Sequence, residues 1–97
     1  MSRTIARIDS NQPEIVEKLR DMGAEVLHLH TLGRGVPDIL VCFRERLYLC
    51  EIKDGAKKPS ARKLTDDEQK WHAKWPGPVY IVESFEDAQK ILEAENE

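Results

Sequence analysis

Two apolar, β-prone segments separated by a charged triplet constrain the fold of this chain most strongly. The segments are 39–43 (Ile-Leu-Val-Cys-Phe) and 47–50 (Leu-Tyr-Leu-Cys), and Arg44-Glu45-Arg46 lies between them. Short runs of branched, aromatic and other apolar residues around a polar break are typical of a β-hairpin. The sequence therefore predicts two antiparallel strands joined by a charged turn.

Charged residues flank this predicted hairpin. Pro37-Asp38 precedes the first strand, and Glu51-Ile52-Lys53 ends the second. A two-residue turn places Asp38 opposite Glu51 with about 5 Å between their Cβ atoms, whereas a slip of one residue leaves them diagonal. The strand period of two puts Lys53 on the same face as both acids. Because two carboxylates this close repel unless a cation lies between them, we expect a metal site here.

Length and charge limit the possible functions. At 97 residues the chain has room for one domain with one core, and we expect residues 1–97 to form it. The net charge of −3 disfavours a general nucleic-acid binder. Residues 1–63, however, hold twelve Lys and Arg against nine Asp and Glu, whereas residues 64–97 hold three against nine. The predicted site thus lies in the basic part of the chain.

Apolar segments and cysteines bear on the cellular compartment. No segment approaches the roughly 20 apolar residues of a membrane span, and the N-terminus lacks the apolar core of a signal peptide. We therefore expect a soluble intracellular protein with no membrane partner. Cys42 and Cys50 fall on opposite faces of the predicted hairpin, so we expect free thiols rather than a disulfide.

The first predicted helix runs from Asn11 to Met22 and starts at Asn11-Gln12-Pro13-Glu14, where the asparagine is a plausible cap. At about 100° per residue, Gln12 points toward the apolar stripe of this helix, so we expect it to face inward. An amide oxygen at that place can coordinate a hard cation. The alternative is a solvent-exposed glutamine of the kind common at helix starts.

Two basic segments are candidate nucleic-acid contacts. Gly33-Arg34-Gly35 would let the backbone approach a phosphate closely, with Arg34 at the rim of the site and Gly35 beside it. The loop after Lys53 contributes four cations, which are Lys57, Lys58, Arg62 and Lys63. We expect them to contact the DNA backbone. The alternatives are a plain turn and a solvated basic loop.

A capping box is predicted at Thr65-Asp66-Asp67-Glu68, with a helix that ends near Trp75 before Pro76-Gly77-Pro78. Trp71 and Trp75 share one face of this helix, which indicates core or dimer packing more than base stacking. His72 beside them is interpreted as a spectator, and His28 and His30 as half-exposed residues of a strand near 25–30 rather than zinc ligands. A last strand follows at 78–82, and a last helix starts at Ser84.

The order of these elements resembles the PD-(D/E)xK nuclease superfamily, in particular its small phage-type VRR-NUC branch, which is itself similar to archaeal Holliday-junction resolvases. The resemblance covers nearly the whole chain and rests on residues 33–38 (Gly-Arg-Gly-Val-Pro-Asp), Glu51-Ile52-Lys53 and the helix after Leu64-Thr65, which contains Gln69. It implies an α/β, restriction-endonuclease-like core with the order α-β-β-β-α-β-α and a central mixed sheet flanked by helices. It also implies a cytoplasmic location in a bacterium or a phage-infected host cell.

The resemblance implies a Mg²⁺- or Mn²⁺-dependent endodeoxyribonuclease that cuts structured DNA, such as Holliday junctions or flaps. Asp38 and Glu51 would hold the ion, and the Ile52 carbonyl and Gln12 would be supplementary oxygen ligands. Relatives carry a glutamate at the position of Gln12, and the amide adds no negative charge. A catalytically weak or inactive nuclease-fold module that binds nucleic acid is therefore the alternative.

Two further residues complete the implied catalytic set. Lys53 would orient the attacking water or stabilise the transition state, and Gln69 would orient Lys53 or a phosphate. A purely structural α/β domain, in which Glu51 and Lys53 form a salt bridge, would leave the position of Asp38 unexplained.

A homodimer is expected, because resolvase-like relatives pair two copies about a two-fold axis to make two cuts. The hairpin tip Arg44-Glu45-Arg46 offers charges of both signs for a self-complementary contact. Tyr48, Trp71 and Trp75 are large side chains of the kind enriched at interfaces. The alternative is a monomer in which these aromatic side chains fill the core.

Overall fold

The computed structural model describes residues 9–94. Three helices and four strands follow one another in the predicted order, with short 3-10 turns at His30–Leu32 and Pro59–Arg62. The elements are α1 (Gln12–Asp21), β1 (Glu25–His28), β2 (Ile39–Phe43), β3 (Arg46–Ile52), α2 (Asp66–Lys74), β4 (Tyr80–Val82) and α3 (Phe85–Ala94). The predicted α/β fold, with a mixed sheet flanked by helices, is confirmed. None of the described helices is long and apolar enough to cross a membrane.

The sheet has the strand order β1-β2-β3-β4, in which only β3 and β4 run parallel. Ile39 pairs with Cys50 and Phe43 with Arg46, so the hairpin closes with a two-residue turn. Both turn residues, Arg44 and Glu45, have positive φ. Positive φ at both central residues is the pattern of a type I′ turn, whose twist matches that of the flanking strands. The predicted register is therefore confirmed.

Side chains that alternate along β2 and β3 pack one face of the sheet against α1 and α3. The core contains Ile15, Val16, Leu19, Ala24, Val26, Ile39, Val41, Phe43, Tyr48, Cys50, Ile52, Val82, Ala88 and Leu92. Cys50 is buried and Cys42 is exposed, and neither forms a disulfide, as predicted. Burial raises the pKa of the Cys50 thiol to about 12, so this group stays protonated at neutral pH.

Tyr48 corrects one expectation about the surface. Its side chain is only 1% exposed, because the strand alternation places it on the core face with Cys50 and Ile52. Its ring lies 5.8 Å from that of Tyr80. The expectation that Tyr48 anchors a dimer interface is therefore wrong.

The start of α1 differs from the predicted cap. Asn11 has helical dihedral angles and makes no side-chain cap hydrogen bond. Its Nδ2 instead donates to the backbone oxygens of Lys53 at 3.1 Å and Glu83 at 3.2 Å. Asn11 thus ties the helix to the chain just after β3 and β4. Gln12 is only 1% exposed, so its predicted inward orientation is confirmed.

The predicted capping box at α2 is confirmed. The Thr65 hydroxyl oxygen accepts from the Glu68 backbone N–H at 3.2 Å, and a Glu68 carboxylate oxygen accepts from the Thr65 N–H at 2.9 Å. α2 contacts β3 from the face opposite the core, through Glu51 and Lys53, which alternate along the strand with the core residues Cys50 and Ile52. One face of the sheet therefore makes the core, and the other carries the polar site.

Candidate functional site

A polar depression lies where the start of β2 meets the end of β3 on the face that α2 contacts. Pro37 is buried just before β2, and the Asp38 N–H donates to the Cys50 carbonyl at 3.1 Å, although Cys50 already pairs with Ile39. The Asp38 carboxylate also accepts the Ile52 N–H, so Asp38 lies beside Glu51, between residues 50 and 52 of β3. Lys53 is two residues beyond Glu51 on the same face. The depression is lined by Asp9, Ser10, Asp38, Glu51, Ile52, Lys53, Lys57 and Glu68.

Asp38 and Glu51 form a close carboxyl pair. One Asp38 oxygen accepts the Ile52 N–H at 2.7 Å, which fixes the side chain against β3. Burial, together with hydrogen bonding to Asp38 and its charge, raises the pKa of Glu51 to about 10. Burial also raises the pKa of Asp38, although its hydrogen bonds to Glu51 and the Ile52 N–H oppose that shift. The proton shared by this pair therefore resides on Glu51.

Lys53 is held by a carboxylate from α2. Its Nζ lies 2.8 Å from Glu68 Oε1, and the lysine is only 8% exposed. Burial by itself lowers the pKa of Lys53, but the hydrogen bond and charge of Glu68 outweigh it and the net shift is upward. Burial by itself raises the pKa of Glu68, but its hydrogen bonds to Lys53 and to the Thr65 N–H outweigh that effect, and the net shift is downward. Both partners are therefore charged at neutral pH.

His72 lies against the carboxyl pair from the next turn of α2. Its Nε2 is 3.6 Å from Glu51 Oε1, and both side chains are largely buried. Neither of these two atoms has a hydrogen-bond partner among the described residues. His72 therefore contacts the site, whereas the sequence was interpreted to make it a spectator.

Neither Gln12 nor Gln69 lines the polar depression. Gln12 Nε2 is 3.5 Å from His30 Nδ1, and Gln12 borders a separate cleft with Arg20 and His28. Gln12 Oε1 is buried without a hydrogen-bond partner among residues 9–94. Gln69 is exposed and donates to the Leu64 carbonyl at 3.1 Å, so it is Glu68 that contacts Lys53.

The side chains predicted to contact DNA differ in exposure and in their ion-pair partners. Lys58 and Lys63 are exposed at the two ends of the 3-10 turn, and Arg34 is exposed in its own turn. Lys57 lines the depression, and its Nζ lies 3.7 Å from Asp9 Oδ1. Arg62 is engaged with Glu83 at 3.0 Å, which ties the loop to the end of β4.

Gly35 is required by packing on α2. It has a φ of +82°, and a Cβ built there would overlap the backbone carbonyl of Asp67. The same construction at Gly33 meets no atom within 4 Å. The turn before Asp38 thus lies directly against the first turn of α2, which accounts for a glycine there without any phosphate.

The donor atoms of the depression suit a hard cation. Asp38, Glu51 and Glu68 bring three carboxyl groups together, and the charge of Glu68 helps to raise the pKa of Glu51. Within residues 9–94, no group of three or more His, Cys, Asp or Glu is arranged to hold a metal ion by itself. A cation at Asp38 and Glu51 would therefore need further oxygen ligands, such as the Ile52 carbonyl or water.

Sequence reasoning missed four residues of this site, namely Asp9, Ser10, Glu68 and His72. The capping box accounted for Glu68 completely, so nothing in the local sequence called for a second contact. The spacing of four between Glu68 and His72 was an available signal, because it puts both on one helical face. Asp9 and Ser10 precede α1 and had no signal of their own.

Comparisons with known proteins bear on the fold. No protein-family model and no curated protein matches the chain. A solved structure described as a VRR_NUC domain superposes with a TM-score of 0.60 and 28% sequence identity. The match covers 84% of this chain and 89% of that domain. The chain therefore has a small, nuclease-like α/β fold that is similar to that of a VRR_NUC domain.

Proposed function

We propose that this domain is a metal-dependent endodeoxyribonuclease that hydrolyses phosphodiester bonds in branched DNA, such as Holliday junctions or flaps. The observation that carries the proposal is the convergence of Asp38, Glu51 and Lys53 in one polar depression. The similarity of the fold to a VRR_NUC domain supports it. Nuclease chemistry uses these groups together, since two carboxylates hold a divalent cation and an ammonium faces the substrate phosphate.

Asp38 and Glu51 would hold Mg²⁺ or Mn²⁺, with the Ile52 carbonyl as a supplementary oxygen ligand. Gln12 does not line the depression, but its buried Oε1 has no partner among the described residues, which makes it a further candidate ligand. The raised pKa of Glu51 supports the assignment of the acid pair, because a bound cation would replace the proton that the buried acid otherwise keeps. The unpartnered Glu51 Oε1 is an available ligand atom. When bound, the ion would stabilise negative charge on the scissile phosphate and acidify water.

Lys53 would stabilise the pentacovalent transition state from the same depression. Its ammonium is charged at neutral pH, so it would act as an electrostatic donor rather than as a general base. The exposed cations Arg34, Lys58 and Lys63 would contact the DNA backbone around the depression. Lys57 at its edge would contact the phosphates nearest to the reaction.

The test is cleavage of labelled four-way junction, flap and linear duplex by the purified protein in Mn²⁺, Mg²⁺ or EDTA. We expect products from the branched substrates only when a divalent ion is present. Lys53→Ala and Asp38→Asn should lower the rate by about 10²- to 10³-fold, because each group acts on the reacting phosphate. DNA binding, measured in EDTA by gel shift, should stay near the wild-type value in both variants.

Two outcomes would contradict the proposal. Wild-type cleavage rates in both variants would show that the assigned residues are not the catalytic site, since the products would then come from another part of the protein or from a contaminant. Binding of the branched DNA with no metal-dependent product would favour the alternative, a nuclease-fold module that binds nucleic acid without cutting it. Gln12 favours that alternative, because the resemblance to resolvase-like nucleases implies a carboxylate at this position and the chain has an amide.

Gln12→Glu tests whether this position belongs to the metal shell. If Gln12 belongs to the metal shell, we expect tighter Mn²⁺ binding by isothermal titration calorimetry, because the substitution replaces a neutral amide by a carboxylate ligand. Glu14→Gln is the control, since Glu14 is exposed on the same helix. An unchanged Mn²⁺ affinity in Gln12→Glu would place α1 outside the coordination shell.

A further inference from the structure

α2 lies along the strand that carries Glu51 and Lys53. Glu68 and His72 are four residues apart, which is about 6 Å along a helix axis. Glu51 and Lys53 are two residues apart, which is about 6.7 Å along a strand. Because these rises match, an antiparallel helix can place Glu68 over Lys53 and His72 over Glu51. The observed contacts of 2.8 Å and 3.6 Å have this pairing.

We propose that Glu68 and His72 are positioning residues for the hydrolysis, with Glu68 holding the Lys53 ammonium and His72 orienting the Glu51 carboxylate. This inference rests on the proposed function, to which it adds a second row of side chains behind the groups that touch metal and phosphate. It gives α2 a role in the reaction beyond packing on the sheet.

Glu68 is suited to this role because its own carboxylate is fixed. The oxygen that contacts Lys53 also accepts the Thr65 N–H at 2.9 Å. The helix start therefore sets where the carboxylate lies, and the carboxylate sets where the ammonium lies. A long lysine side chain loses considerable rotamer entropy when it is ordered, so a fixed partner reduces the cost of holding it ready for the phosphate.

His72 is suited to orient Glu51 because the two facing atoms lack other partners. Glu51 Oε1 and His72 Nε2 are buried, and neither forms a hydrogen bond with a described residue. A small rotation of either side chain brings them within hydrogen-bond distance, where an Nε2–H donor fixes the rotation of the carboxylate. Partners of ligating carboxylates typically change metal affinity or activity about 10- to 100-fold when they are removed.

The experiment compares Glu68→Ala and His72→Ala with Glu68→Gln and His72→Gln. For Glu68→Ala we expect kcat to fall about 10- to 100-fold with little change in KM for DNA. Glu68→Gln should recover part of kcat, because glutamine keeps the capping box and an acceptor for Lys53. His72→Ala should weaken Mn²⁺ binding about 10-fold by calorimetry, and His72→Gln should restore it by keeping an N–H donor.

Three control variants separate positioning from folding. Thr65→Ala removes the cap but keeps the Glu68 carboxylate, so Tm should fall while kcat changes less than in Glu68→Ala. Asp66→Ala and Lys70→Ala alter exposed residues of the same helix and should leave kcat and Mn²⁺ affinity unchanged. An effect of Thr65→Ala on kcat as large as that of Glu68→Ala would overturn the assignment of Glu68.

Cleavage by the wild-type protein separates a failure of the positioning roles from a failure of the proposed function. If it cleaves branched DNA, and Glu68→Ala and His72→Ala match its kcat and Mn²⁺ affinity, the positioning roles are overturned and the nuclease remains. If it cleaves none of the substrates in either metal, the proposed function is overturned, and the positioning roles with it.

Discussion

At the scale of single residues, the buried Glu51 makes the stability of the metal-free protein depend on pH. Glu51 is 1% exposed and lies against two other acids, so its pKa of about 10 is far above the ordinary value of 4.5. The unfolded chain releases this proton near pH 4.5, whereas the native chain keeps it until about pH 10. The native state thus binds more protons between these values, and its stability falls as pH rises through them.

We therefore expect Glu51→Gln to stabilise the metal-free protein at alkaline pH. Each unit of pKa shift corresponds to about 1.4 kcal/mol, so the gain at pH 9 in EDTA should exceed about 1 kcal/mol and should shrink toward pH 5. Urea unfolding at several pH values measures it, with the exposed Glu14→Gln as the control. Parallel pH profiles for wild type and Glu51→Gln would contradict the buried, protonated state of Glu51.

At the scale of elements, the position of α2 depends on one glycine. Gly35 lies against the carbonyl of Asp67, one residue before Glu68, whereas Gly33 has open space around it. Both glycines have positive φ, so alanine is strained at either position. Only at position 35 does the added methyl group also displace the helix that carries Glu68 and His72.

Gly35→Ala and Gly33→Ala form a matched pair that isolates this contact. We expect Gly33→Ala to cost about 1 kcal/mol of unfolding free energy from its backbone conformation alone. Gly35→Ala should cost about 1–3 kcal/mol more, because of the overlap with α2, and should also lower the cleavage rate. Urea unfolding and single-turnover cleavage measure the two effects. Equal losses in both variants would show that α2 accommodates the methyl group.

The elements were predictable from sequence because their signals are local. The hairpin register follows from the apolar runs and the length of a two-residue turn, and the capping box at Thr65 from four adjacent residues. The side chain of α2 that faces Lys53 was not predictable. Glu68 and Gln69 are neighbours about 100° apart on the helix, and only the tertiary packing of α2 on β3 distinguishes them. The burial of Tyr48, by contrast, follows from the alternation along β3, and its frequency at interfaces was the wrong guide to its position.

At the scale of the whole molecule, α2 leaves part of the polar-site face of the sheet open. Leu27, Leu47 and Ile81 project from strands on this face and are 59%, 65% and 46% exposed, and Trp75 at the end of α2 is 42% exposed. Leu47 and Trp75 line an apolar groove with Leu40, Leu49, Gly77 and Pro78. Trp75 also stacks on Trp71, with ring centroids 4.7 Å apart. Exposed apolar surface of this kind is typical of protein interfaces.

We expect two copies to pair through this groove, next to the charged hairpin tip, so that two sites act on one branched substrate. Leu47→Glu should convert a dimer into a monomer, because a carboxylate would be buried without a partner. Light scattering at micromolar concentration measures the mass. Leu32→Glu is the control, since Leu32 is 63% exposed but does not line the groove. A wild-type mass near 11.2 kDa with junction cleavage retained would contradict the dimer.

The turn of Arg44 and Glu45 makes the arrangement of the polar depression sensitive to the length of the chain at a distant point. Five paired rows, roughly 17 Å of strand, separate it from Asp38 and Glu51. Replacement of both residues by Asn-Gly, which adopts positive φ more readily, would leave those rows unchanged. One inserted residue would slip the pairing and, if β3 shifted, turn Glu51 and Lys53 toward the core. The hairpin register therefore constrains the length of the tip more strongly than the identity of its two turn residues.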